Sequence, residues 1–362
     1  MTIVTAKRPW SPGALLALAC LACMPALAAD GGRGMAYVSN QNGDVTVIDL
    51  DTLETVTEFK VGAEGPRGIG VTADGKLLVT ANGEAGDISV IDRASGRLLK
   101  RIPIGKNPEF VRIRGNYAFV SFEPAAVGGP PPKPGSEEAR ALAEAREEED
   151  AEPAKIAVVD LKKGKVIRAI TGGMETEGIE FSADGKLIIV TNEADENLSV
   201  HEIATGRLVK KISTKEYGNR PRGIKMIPDG SGYVASLEFS NKLVVLDKDF
   251  DVVKVVPTGE VPYGLAFDRS GERLFVALAK GKALQVFDAK TFEPIRNVPT
   301  GDRCWHFTFT PDDSHILVAC GRSNEVVVID AKTLEPVKRI ADKKMPWGIV
   351  TYPKAIGSLD VP

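Results

Sequence analysis

The sequence is poor in aromatic residues, histidine and cysteine, and it carries little net charge. Aromatics are 6% of 362 residues, so any core must be largely aliphatic. A formal charge of -3, from 46 basic and 49 acidic residues, leaves neither sign dominant and argues against a nucleic-acid partner. Three histidines, His201, His306 and His315, offer little material for a metal centre. There is no HExxH, no GxSxG, no phosphate-binding loop and no CxxCH for covalent haem attachment. Hydrophobic content is nevertheless 43%, enough for a large core.

Residues 1–28 read as an export signal. Lys7 and Arg8 precede an apolar stretch beginning at Ala14–Leu21, and Ala26-Leu27-Ala28 is a small-residue cleavage site. The stretch is shorter than the ~20 residues of a bilayer span and holds Pro25 near its end. Cleavage removes two positive charges and no negative ones, taking the formal charge from -3 to -5. It also removes Cys20 and Cys23 and leaves Cys304 and Cys320. The mature chain, from residue 29, is expected in the periplasm with no membrane span.

What the chain has in quantity is repetition. An opening motif such as Pro66-Arg67-Gly68-Ile69 leads into a hairpin turned at Asp74-Gly75, then a strand ending in an acid, then a last short strand. The motif begins at Pro66, Pro108, Thr176, Pro221, Pro262, Cys304 and Pro346, in steps of 42, 68, 45, 41, 42 and 42. The acids Asp49, Asp92, Asp160, Glu202, Asp247, Asp288 and Asp330 keep the same register. Seven units of four Val- and Ile-rich strands predict an all-β, seven-bladed β-propeller. A β-sandwich would not explain the constant period. The chain starts at a second strand, Ala36–Asn40, and finishes with a first strand, Met345–Pro353. Pairing the two closes the ring and removes two open edges.

These repeats resemble the YVTN-type β-propeller family, on Ala36-Tyr37-Val38-Ser39-Asn40, Ile189-Val190-Thr191-Asn192 and Phe181-Ser182-Ala183-Asp184-Gly185-Lys186. Segments Glu175–Phe181 and Asn219–Ile224 are similar to propeller proteins associated with PQQ-dependent (quinoprotein) catabolism. They are equally similar to the haem d1 propeller of cytochrome cd1 nitrite reductases. The resemblance implies a periplasmic accessory or binding role in quinoprotein or haem-linked respiratory metabolism. An alternative it implies is a haem d1-type cofactor-binding or redox protein. A structural interaction scaffold is the third reading, and a monomer is expected.

Propeller topology places the opening motifs and the ends of the second strands at one mouth. The opening residues are Arg67, Glu109, Glu177, Arg222, Tyr263, Trp305 and Trp347, and the second strands end at Asn40, Asn82, Glu123, Glu193 and Glu238. Fixed charges beside flat rings suit a small anionic or planar ligand, haem d1 or a related cofactor included. The same charges also fit ion pairs that hold blades in register, and the rings also fit a core cap. His306 stands where five blades have Gly, and is the one iron ligand on offer if a haem binds. An ordinary hydrogen-bonded histidine at a blade junction is the other reading. Cys304 and Cys320 flank the hairpin Thr310–Ser314; placing Thr310 opposite Ser314 sets the two cysteines face to face for a possible disulfide.

The long step holds an insertion at about 124–154, Pro- and Gly-rich at Gly128–Pro132 and acidic over Ser136–Asp150. It reads either as a solvated loop or as an arm at the mouth that docks a basic partner, such as a periplasmic redox or cofactor-handling protein.

Overall fold

The computed structural model describes residues 32–124 and 152–360, together with Met1 and residues 136, 137, 140 and 141. The expected export signal, with Cys20 and Cys23, and most of the acidic insertion lie outside the described residues. The rest forms seven four-stranded antiparallel sheets. In the first, strand Pro346–Tyr352 pairs with Met35–Asn40, which pairs in turn with Val45–Asp49 and then Glu54–Phe59. The expected closure is therefore present, and Tyr37 sits opposite Val350 with Val38 opposite Ile349.

Turn chemistry accounts for the outer strands. Asp49 accepts bonds from the N–H groups of Asp51 and Thr52, and Asp288 and Asp330 do the same two and three residues on. These repeated acids are turn formers, as the sequence implies.

The inner strands show why the YVTN-like motif recurs. In the fourth blade Thr191 Oγ1 accepts from Gly178 N (2.8 Å) and donates to Arg222 O of the next blade (2.7 Å). Ser236 does likewise between Gly223 N (2.9 Å) and Tyr263 O (2.8 Å). Ser39 repeats the bridge between Gly348 and Arg67. The hydroxyl before the motif's last position therefore stitches one blade to its neighbour. Glycine is needed beside it, because a Cβ at Gly68 would stand 2.5 Å from Glu109 O, and one at Gly264 would stand 2.6 Å from Trp305 O.

The two blades that lack this glycine put Phe110 and His306 in its place. The third blade's inner strand is cut to Val111–Arg114, while the seventh keeps Cys304–Phe309. Both side chains turn to the axis and meet edge to face, ring centroids 5.8 Å apart.

One expected detail is corrected. Thr310 pairs with His315 rather than Ser314, so the hairpin is one residue out of the assumed register. Phe307 then faces Val318, and a bulge at Trp305 restores the register so that Cys304 still faces Cys320. The two sulfurs are bonded in a disulfide.

Candidate functional site

The opening residues do lie at one mouth, opposite the second-strand ends: Pro66 pairs with Asn82, Thr176 with Asn192 and Pro221 with Leu237. Their charges are satisfied by one another. Arg222 is the hub, with Glu193 at 2.5 Å, Glu109 at 3.0 Å, Glu177 at 3.4 Å and Glu238 at 3.6 Å. Its guanidinium lies 4.1 Å from the Tyr263 ring centre. Arg67 holds Glu109 at 2.8 Å from the far side. Arg220 pairs with Glu175 at 2.8 Å and contacts Glu193 and Glu238.

Tyr263, His306 and Trp347 continue the cluster toward the axis. His306 is 5.5 Å from the Tyr263 ring and 4.4 Å from the Trp347 ring. Trp305 stands to one side, reached by Arg303 across its face at 5.8 Å, and Arg303 in turn lies 3.8 Å from Glu238. Glu109, Glu177, Glu193, Glu238, Tyr263, Trp305, His306 and Trp347 are all buried. Arg67 and Arg222 are partly exposed.

Burial and neighbouring charge split the carboxylates. Burial raises Glu193 to about 8 even though Arg220 and Arg222 oppose it. Burial likewise holds Glu177 well above the usual carboxylate range. Glu109 is buried too, but Arg67 and Arg222 outweigh that and keep it low. Burial and then the Glu109 charge push Glu123 up to about 7, while Asn107 donates to it at 2.9 Å.

These shifts carry a stability consequence. An unfolded glutamate titrates near ~4.3, so between about 4.3 and 7 the folded Glu123 holds a proton that the unfolded chain has released. Its contribution therefore falls as pH rises through that window. Glu123→Gln, which mimics the protonated form, should stabilise the protein at pH 8 by at most about 4 kcal/mol and change little at pH 4. Calorimetric melts at the two pH values check this; equal effects at both would contradict it.

Three parts of this region have no place in the sequence reading. The first is the residue before each opening motif. Gly65, Asn107, Glu175, Arg220, Val261, Arg303 and Met345 all adopt left-handed backbone, with φ between 46 and 68°. Each turn is held by a carbonyl, as where Glu193 N donates to Glu175 O and Glu238 N to Arg220 O, both at 2.9 Å. The column recurs every blade and delivers Asn107, Glu175, Arg220 and Arg303 to the mouth.

The second is a buried axial set below the mouth: Arg112, Glu180 and Lys225. They occupy one position in three consecutive inner strands, where other blades carry Gly70, Ala266, Thr308 and Val350. Three charged residues in a column of small and apolar ones were the available signal. Burial lowers Lys225 to about 7. The third is the chain beyond Tyr352, which enters the channel.

Fold and site together define a ring-closed, seven-bladed propeller whose mouth is an interlocked Glu/Arg cluster over a filled axis. Residues 12–116 match the family model of the YNCE-like beta-propeller, and residues 151–254 match that of the cytochrome D1 heme domain. No curated protein matches the chain. Among solved structures it is similar to hydrazine synthase of Kuenenia stuttgartiensis, at 21% identity over 82% of this chain and 92% of that one, with a TM-score of 0.65. It is also similar to the dihydro-heme d1 dehydrogenase NirN, at 17% identity, 91% and 78% coverage, and a TM-score of 0.63. The periplasmic gluconolactonase PpgL of Pseudomonas aeruginosa gives 16% identity, 88% and 98% coverage, and a TM-score of 0.66. At these identities the likeness is one of fold.

Among the described residues no helix is long and apolar enough to cross a membrane, and no group of three or more His, Cys, Asp or Glu is arranged to hold a metal ion.

Proposed function

We propose that this is an exported, periplasmic, non-enzymatic propeller that docks a basic redox or cofactor-handling protein at its mouth, in haem- or quinoprotein-linked respiratory metabolism. The observation that carries this reading is the acidic insertion whose two ends lie at the mouth, beside a Glu/Arg cluster whose own charges largely cancel. Six carboxylates, of Glu109, Glu123, Glu175, Glu177, Glu193 and Glu238, gather around four arginines, Arg67, Arg220, Arg222 and Arg303. The acidic insertion leaves the same face, after strand Tyr117–Phe122, and returns before Lys155–Asp160. Residues 136–150 add seven acids against two arginines. Such a face steers a basic partner and binds it in a salt-dependent way.

The test is titration with a basic c-type cytochrome at about 20 mM and at about 0.3 M salt, the second roughly twice physiological ionic strength. The chain should bind at low salt and release at high salt. Deleting residues 125–151 should leave melting unchanged and weaken binding by about tenfold or more. Undiminished binding by the deletion variant would move the docking surface elsewhere.

A haem d1 reading has one geometric point in its favour. His306 Nε2 is buried and has no hydrogen-bond partner, as a free ligand atom would be. The surroundings do not fit the group. The Phe110, Tyr263 and Trp347 rings close on His306 at 4.4–5.8 Å, and the channel below is filled by the chain itself. No slot as wide as a macrocycle remains at that nitrogen. Burial, reinforced by Arg112, Arg222 and Lys225, keeps the imidazole neutral by holding its pKa well below the usual histidine range.

A further inference from the structure

The channel is filled by the chain's own C-terminal tail. Beyond Tyr352 the tail enters from the face opposite the mouth, antiparallel to the seventh blade's inner strand, with Gly357 bridged to Thr308. Phe309 N donates to Ile356 O at 2.8 Å, and Ser358 N donates to Phe307 O at 2.9 Å. Ser358 Oγ accepts from Phe307 N at 3.0 Å and lies 3.0 Å from His306 Nδ1. Leu359 joins the Trp347 and Phe110 core. Asp360 O accepts from Arg112 Nη1 at 3.0 Å and from Lys225 Nζ.

A channel that only has to be filled is filled more favourably by apolar side chains, since each buried charge carries a desolvation cost of several kcal/mol. This one keeps Arg112 and Lys225, with Glu180 3.9 Å from each. The tail brings its own balanced pair, Lys354 and Asp360, 3.6 Å apart. Without the tail, two cations face one carboxylate, and both cationic donors lose their shared acceptor. Phe307 N and His306 Nδ1 lose the Ser358 hydroxyl at the same moment. The orphaned groups thus call for one anionic acceptor and one hydroxyl, separated by two residues of extended chain, about 7 Å.

We propose that Arg112, Lys225, His306 and the Phe307 N–H form an axial site for a small hydroxycarboxylate, and that residues 354–360 are its intramolecular occupant. The ligand's carboxylate takes the place of the Asp360 carbonyl between Arg112 and Lys225. One hydroxyl takes the place of Ser358 Oγ between Phe307 N and His306 Nδ1. The site lies below the mouth and stands independently of partner docking.

The test is calorimetric titration of the full chain with D-gluconate, with hexanoate as an apolar carboxylate of equal chain length. The tail competes in the parent. Loosening it with the double variant Ser358→Gly/Leu359→Gly should tighten gluconate binding at least tenfold, and adding Lys225→Met should abolish the gain. Equal gluconate affinity in parent and loosened variant, affinity indifferent to Lys225→Met, or equal affinity for hexanoate would overturn the proposal. Should the double variant fail to fold, hydrogen exchange on the parent decides. Millimolar gluconate should speed exchange at the amides of residues 355–360 and leave the blades unchanged; unchanged tail exchange would overturn the site.

Discussion

A chain ending at Lys344 should fail to give a folded, soluble monomer. The closing strand buries Trp347, Ile349 and Val350, and Leu359 beyond it is buried as well. Each such side chain is worth about 1.5–3 kcal/mol on burial, so the four together approach the ~5–15 kcal/mol by which a whole domain is stable. The loss is not confined to area. Strand Met35–Asn40 becomes an open edge, and Ser39 loses Gly348 N, which it accepts at 3.1 Å. Arg112 and Lys225 lose the Asp360 carbonyl and stay buried. Unpaired edges and unpartnered charges both favour aggregation over a partly open ring. Gel filtration and a melting scan should show aggregate with no cooperative transition. A monomer melting within about 2 °C of the full chain would contradict this.

Arg222→Met is the second large effect. The substitution keeps much of the side-chain volume and removes a partner that touches Glu109, Glu177, Glu193 and Glu238 at once. Breaking a buried charge cluster in this way costs about 3–5 kcal/mol, because the carboxylates left behind share fewer counter-charges. Arg67 still holds Glu109 and Arg220 still holds Glu193, so the cluster loses its hub rather than all its links.

The pH dependence follows from the same geometry. Arg67 and Arg222 keep Glu109 low in the parent, so losing one cation moves Glu109 up, while Glu177 and Glu193, raised already, move further still. Raised folded values mean that the native state takes up protons the unfolded chain lacks, so stability drops as pH rises above the unfolded value. The variant should therefore melt far below the parent at pH 8 and approach it near pH 5. Arg222→Lys restores the charge but not the fork that reaches several carboxylates, and should recover only part of the loss. A uniform decrease at both pH values would mean that lost packing, not charge, dominates.

Much of this was legible in the residues. The period, the Asp turns and the Val- and Ile-rich strands are local signals, and they lead to seven blades and to the strand that closes them. The mouth was legible by column, since opening residues such as Arg67, Arg222 and Tyr263 are equivalent from blade to blade. What escaped were features without a column or with an unread one. The tail, Lys354–Asp360, has no counterpart in any repeat. Arg112, Glu180 and Lys225 share a position whose inward direction matters only once the channel is known to be filled. Glu175 and Arg220 reach the mouth through a left-handed residue, a conformation that glycine alone announces, and glycine holds the position in one blade, at Gly65. The hairpin register was misread by one residue, because the bulge at Trp305 hides the shift by the time the strands reach Cys304 and Cys320.

Ring closure carries the rest: it sets the mouth, delivers Trp347 to it and threads the tail into the axis. Native-state hydrogen exchange on the full chain tests it most directly. Strand Met35–Asn40 lies between Pro346–Tyr352 and Val45–Asp49. Amides of Ala36–Ser39 should therefore exchange as slowly as those of the interior strands Leu77–Asn82 and Leu187–Asn192, through global unfolding alone. Fast exchange at alternate amides of that strand, the pattern of a free edge, would contradict closure.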